Sequence, residues 1–165
     1  MSKNQGVTLI ELIIVIAIIG ILTAGSYFGA NMLGLGSAKS TVRRISSMLN
    51  AVQLENMTRS KTCYLLISEA EGKYYLSVRF GTEEKEREKL KLVRGQIRYT
   101  TNDGTTRLIS STPEPGVAAE ICFRKDTGGL APNTKGEIIR QIEVTSAGSS
   151  YTIHLVEATG KHYIE

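Results

Sequence analysis

The 165-residue chain contains no tryptophan, only three prolines, two histidines and two cysteines, and a single class of charge gap dominates its first quarter. Each scarcity excludes something. His154 and His162 have no cysteine or acid at ligand spacing, so no metal centre is expected. Cys63 and Cys122 form no CxxC pair and lie near no histidine, which removes thiol redox and zinc-ribbon readings. No glycine-rich loop follows a strand, so nothing cradles a phosphate. The one Asp-Thr-Gly, residues 126–128, lacks the second carboxylate that aspartic-protease chemistry needs and reads as a turn. No enzymatic constellation and no cofactor are therefore expected. The net charge of +4 and pI of about 9.1 are mild, unlike those of a dedicated nucleic-acid binder. No proline interrupts residues 7–61, and no charged residue occurs between Glu11 and Lys39.

That gap is filled by an apolar run. From Val7 to about Leu35 the chain is apolar except for Glu11 and a few small polar residues, long enough for a membrane span of about 20 residues. Glu11 sits near its start. A carboxylate in hydrocarbon costs roughly 2.5–3.5 kcal/mol on insertion scales, so it demands a function and a partner. Residues 25–36 carry Gly25, Gly29, Gly34 and Gly36, each weakening a helix by about 1 kcal/mol against alanine. Residues 37–61 then place Ala38, Val42, Ile45, Leu49 and Val52 at spacings of four and three, with Met48 beside them. Lys39, Arg43 and Arg44 fall off that stripe, as in an amphipathic helix packed on a globular domain.

After Thr62 the period changes to two. CYLLISEA (63–70) and KYYLSVRF (73–80) flank Glu71-Gly72 as a hairpin. LKLVR (90–94) reads as a further strand, and TEEKEREKLK (82–91), with alternating charge, as a solvated loop or short helix face. QIRYTT (96–101) and TTRLISS (105–111) flank Asn-Asp-Gly, a strong hairpin signal. EICFRK (120–125) reads as a strand before the loop DTGGLAPNTKG. RQIEVTSA (140–147) and YTIHLVEA (151–158) flank Gly-Ser-Ser, and KHYIE (161–165) closes a sheet. The fold class expected is α+β: one long helix followed by an antiparallel domain of about eight strands, in two sheets. The segments are 1–6, 7–36, 37–61 and 62–165. Cys63 and Cys122 both fall in strands, and a disulfide between them would stabilise by roughly 4 kcal/mol in the chain-entropy model. Two separate buried thiols are the alternative.

Residues 6–20, GVTLIELIIVIAIIG, closely resemble the N-terminal signature of class III prepilins, the type IV pilins and the pseudopilins of type II secretion. In that pattern a short polar leader ends in Gly, here Gly6. A hydrophobic residue follows, here Val7, and the fifth residue after the cut is Glu, here Glu11. The resemblance implies a leader at 1–6 removed by a prepilin peptidase, N-methylation of Val7, and an assembly helix over 7–36. It also implies a single-pass protein with a cytoplasmic N-terminus and an extracytoplasmic C-terminal domain, partnered by the lipid bilayer, an inner-membrane assembly platform and other pilin or pseudopilin subunits. Glu11 would meet the charged amine of a neighbour's Val7, since a buried charge is tolerable when paired. Val7 stands where Phe is usual, and Phe28 where many major pilins carry a kinking Pro. The strand count is similar to that of H-type minor pseudopilins and FimT-like minor pilins. A DNA-binding minor pilin and a major pilin are the alternatives. For DNA the basic candidates are Arg94, Arg98, Arg107, Arg124, Lys125 and Arg140.

Overall fold

The computed structural model describes residues 9–81, 83–92, 94–111 and 116–165, with backbone only over 24–35 and 84–87. The chain divides into two compact units, Met1–Leu33 and Gly34–Glu165. The fold class is α+β, with one helix followed by two five-stranded antiparallel sheets.

Helix α1 runs Leu9–Thr58. In the first unit every large apolar side chain from Leu9 to Leu22 is between 51% and 77% exposed. Thr23 keeps its hydroxyl inside the helix, donating to the Ile19 carbonyl at 2.9 Å and the Gly20 carbonyl at 3.0 Å. Among the described residues no helix is long and apolar enough to cross a membrane. The expected span of 7–36 lies partly outside them, since Val7 and Thr8 are not described and 24–35 is described by backbone alone. That backbone is helical through the glycine-rich segment.

In the second unit α1 behaves as its spacing predicts. Ala38, Val42, Ile45, Leu49 and Val52 are 0–1% exposed and join both sheets in one core, while Lys39, Arg43 and Arg44 are exposed. The last turn of the helix carries Asn56. Its amide nitrogen donates to the Cys63 carbonyl at 2.7 Å, and its carbonyl accepts from the Cys63 N–H at 2.9 Å. One side chain thus satisfies both backbone groups of the first strand residue.

The strands in chain order are β1 (Cys63–Ala70), β2 (Lys73–Phe80), β3 (Glu83–Lys89), β4 (Gly95–Thr101), β5 (Thr106–Leu108), β6 (Ala119–Phe123), β7 (Leu130–Ala131), β8 (Ile139–Ser146), β9 (Ser149–Leu155) and β10 (His162–Ile164). The first sheet has the order β3-β2-β1-β6-β7 and the second β10-β9-β8-β4-β5. Each face that points to the core reads as alternate apolar residues. Cys63, Leu65 and Ile67 do so on β1, and Ile97 and Tyr99 on β4. The turns at Glu71-Gly72 and Ala147-Gly148 both hold positive φ at their two central residues, the geometry whose twist suits a two-residue hairpin.

Four expectations need correction. Residues 83–89 are neither loop nor helix but an edge strand paired to β2, with Phe80 opposite Glu83 and Tyr75 opposite Lys89. An edge strand needs partners on one side only, and charges there discourage further pairing, so apolar alternation is not required. The LKLVR strand does not form: Leu90 is buried and Leu92 packs on the core outside any strand, and Val93 lies outside the described residues. The loop expected after β6 contains the two-residue strand β7, paired to β6. The last hairpin turns on Ala147-Gly148 rather than Gly-Ser-Ser.

Candidate assembly surface

The N-terminal site residues divide at the edge of the description. Gly6 and Val7 lie outside it. Glu11 lies in the first turn of α1 and is exposed, where the positive end of the helix dipole favours a carboxylate. Around it Leu9, Ile10, Leu12, Ile13, Ile14 and Val15 present apolar surface on every side. A helix hydrophobic all round is one that is buried in its working state, by lipid or by other helices.

Cys63 and Cys122 are both free and buried. The register places Tyr64 opposite Cys122. Directly opposed residues share a face and neighbours on one strand alternate, so the two thiols leave the sheet on opposite sides. The possible bridge is absent for that reason. Burial pushes the Cys122 thiol above its ordinary pKa, which keeps it unreactive.

The histidines are structural. His154 stacks on Tyr163 with ring centroids 4.9 Å apart, and its Nε2 lies 3.2 Å from a Glu165 carboxylate oxygen. His162 on β10 meets the Ser46 hydroxyl of α1 at 2.7 Å through Nε2, and burial holds its pKa below the usual value. Asp126 accepts from the Thr127 N–H at 2.8 Å in a turn. Among the described residues no group of three or more His, Cys, Asp or Glu is placed to hold a metal ion.

The basic residues considered for nucleic acid do not act as one set. Arg107 pairs with Glu137, Arg140 with Glu157 at 2.6 Å, and Lys125 donates to the Ser60 carbonyl. Arg94, Arg98 and Arg124 are exposed.

Sequence reasoning missed the polar ties that hold α1 to the rest of the second unit. Besides Asn56, Ser37 meets Ser146 at 3.3 Å, and Gln53 donates to the carbonyls of Gly128 at 2.7 Å and Thr159 at 2.9 Å. Gly160 allows this last approach, since a Cβ there would lie 2.6 Å from the Gln53 amide nitrogen. Most of these partners are backbone groups or lie about a hundred residues away, so no local pattern marks them.

Residues 1–27 match the family model of the prokaryotic N-terminal methylation motif. This is the type IV pilin and pseudopilin signal. No curated protein and no solved structure matches the chain. The prepilin-type signal covers Gly6, Val7 and Glu11 together with the exposed apolar start of α1.

Proposed function

We propose that the protein is a structural subunit of a type IV pilus or type II secretion pseudopilus. The observation that carries the reading is the methylation motif at residues 1–27 set on a helix whose apolar side chains are exposed on all sides. A prepilin peptidase removes residues 1–6 and Val7 is N-methylated. Residues 7–36 anchor the subunit in the cytoplasmic membrane, with the N-terminus inside and the β domain of residues 62–165 outside, carried on the amphipathic helix of residues 37–61. An inner-membrane platform then moves the subunit into a filament, where apolar helices replace lipid around Leu9–Leu22. Glu11 there accepts the Val7 ammonium of a neighbouring subunit, setting axial register by a charge pair that hydrocarbon would penalise if either member were missing.

The two five-stranded sheets favour a minor subunit of the H-type or FimT-like kind over a major one. Mass spectrometry of the membrane-extracted protein tests the reading. A mature chain starting at methylated Val7 is expected; a start near Ser26 would mark ordinary signal-peptide cleavage and overturn it.

A further inference from the structure

Arg59, Arg79, Arg107 and Arg140 each pair with a carboxylate, whereas several cations at the start of the second unit's helix and beside the end of β3 lie close together without one. Lys39 and Arg43 on α1 border a shallow hollow with Gly36, Ser40, Arg44 and Ser47. A second hollow shares Ser40 and Arg44 and is bordered by Glu88, Lys89 and Lys91. Among the described side chains Glu88 is the carboxylate lining the pair, and Arg44 takes it with two bonds from Nε at 2.8 and 3.0 Å and another from its terminal nitrogen. That fork joins β3 to α1. Leu90 is buried and donates its N–H to the Tyr74 carbonyl at 2.8 Å, which fixes the backbone between Lys89 and Lys91. Among the described residues Lys39, Arg43, Lys89 and Lys91 have no acidic partner. Among the described side chains five cations and one carboxylate meet here.

The position of this patch along the chain selects its partner. Lys39 is the first charged residue after Glu11 and follows the apolar run by only a few positions, where a chain leaving a bilayer meets the headgroup layer. With residues 7–36 in the bilayer, as in the proposed function on which this step rests, Lys39 and Arg43 are the first charges beyond the outer end of the span. We infer that Lys39, Arg43, Lys89 and Lys91 form a surface for anionic phospholipid headgroups, which holds the β domain against the outer leaflet before the subunit enters a filament. Lysine and arginine near such a surface are attracted over roughly one Debye length, about 8 Å at physiological salt. The attachment is therefore reversible, as a subunit awaiting extraction requires.

The test uses the full chain reconstituted in vesicles of phosphatidylcholine alone, or with about one third phosphatidylglycerol. Lysine acetylation is read residue by residue by mass spectrometry, with exposed Lys135 and Lys161 as internal controls. Labelling of Lys39, Lys89 and Lys91 should slow by about threefold or more in the anionic vesicles and recover in high salt, while the controls stay unchanged. In the Lys39→Gln/Lys91→Gln variant Lys89 should lose its protection. Equal labelling in both lipids would overturn the inference. So would protection by duplex DNA on neutral vesicles without protection by phosphatidylglycerol, which would assign the patch to nucleic acid. A chain that floats with vesicles but is unprotected sinks only the headgroup surface; a chain that does not float sinks the membrane reading beneath it as well.

Discussion

Two stretches of one helix meet opposite fates. Leu9–Leu22 and Ala38–Val52 both belong to α1 and both are rich in aliphatic residues. In the first stretch the apolar side chains are more than half exposed; in the second they are sealed. The difference lies in pattern. An apolar stripe one face wide can be buried by the chain's own sheets, with Lys39 and Arg43 left in water. A helix apolar all round offers no face to water, so only another solvent or other subunits can bury it. Hydrophobicity alone does not say which stretch is core; its angular distribution does.

A matched pair of charges breaks this comparison most sharply. Ile45→Asp places an unpaired carboxylate in the core and should cost about 4 kcal/mol or more. Its melting temperature should fall by roughly 10 °C or more for a domain of this size. Ile14→Asp should leave the melting of the β domain unchanged and instead impair membrane retention and incorporation. Calorimetry and fractionation of the two variants separate the cases, and equal melting curves would show that the stripe is not core.

Glu11→Ala probes the first stretch more gently. Removing the carboxylate should leave the β-domain fold intact and ease membrane insertion, yet reduce incorporation into filaments. Normal incorporation, measured on sheared filaments, would refute the pairing with a neighbour's Val7.

In the second stretch Asn56→Ala should cost about 2 kcal/mol, because it removes two buried hydrogen bonds to the Cys63 backbone. Denaturant unfolding reads this directly. A loss below a few tenths would mean that water replaces the amide.

The smallest effect is a pH dependence. His162 is held below its ordinary pKa by burial, so the unfolded chain, at about 6.5, takes up the proton first. Its contribution is complete above about pH 6.5 and is lost as pH falls from there through the depressed folded value. Asp103, lowered to about 2 by hydrogen bonds from Thr101 and Thr105, acts only in stronger acid. His162→Gln should flatten the stability profile just below pH 6.5; an unchanged slope would place the titration elsewhere.

The sequence by itself determined the processing signal, the all-round apolar helix, the stripe from Ala38 to Val52 and the hairpins with Gly at their turns. All of these are carried by local spacing, where one periodicity or one φ preference is sufficient. Edge strand β3 was hidden because its charges answer to its position at the sheet margin rather than to any core. The separation of Cys63 and Cys122 depends on the β1–β6 register, which two distant segments set jointly. The ties of Asn56, Gln53 and Ser46, and the meeting of Lys39 and Arg43 with Lys89 and Lys91, exist only after α1 is laid against the sheets. Apart from the Asn56 tie to Cys63, such contacts join residues tens of positions apart, and their geometry follows from core packing, a property of the whole second unit and of no segment within it.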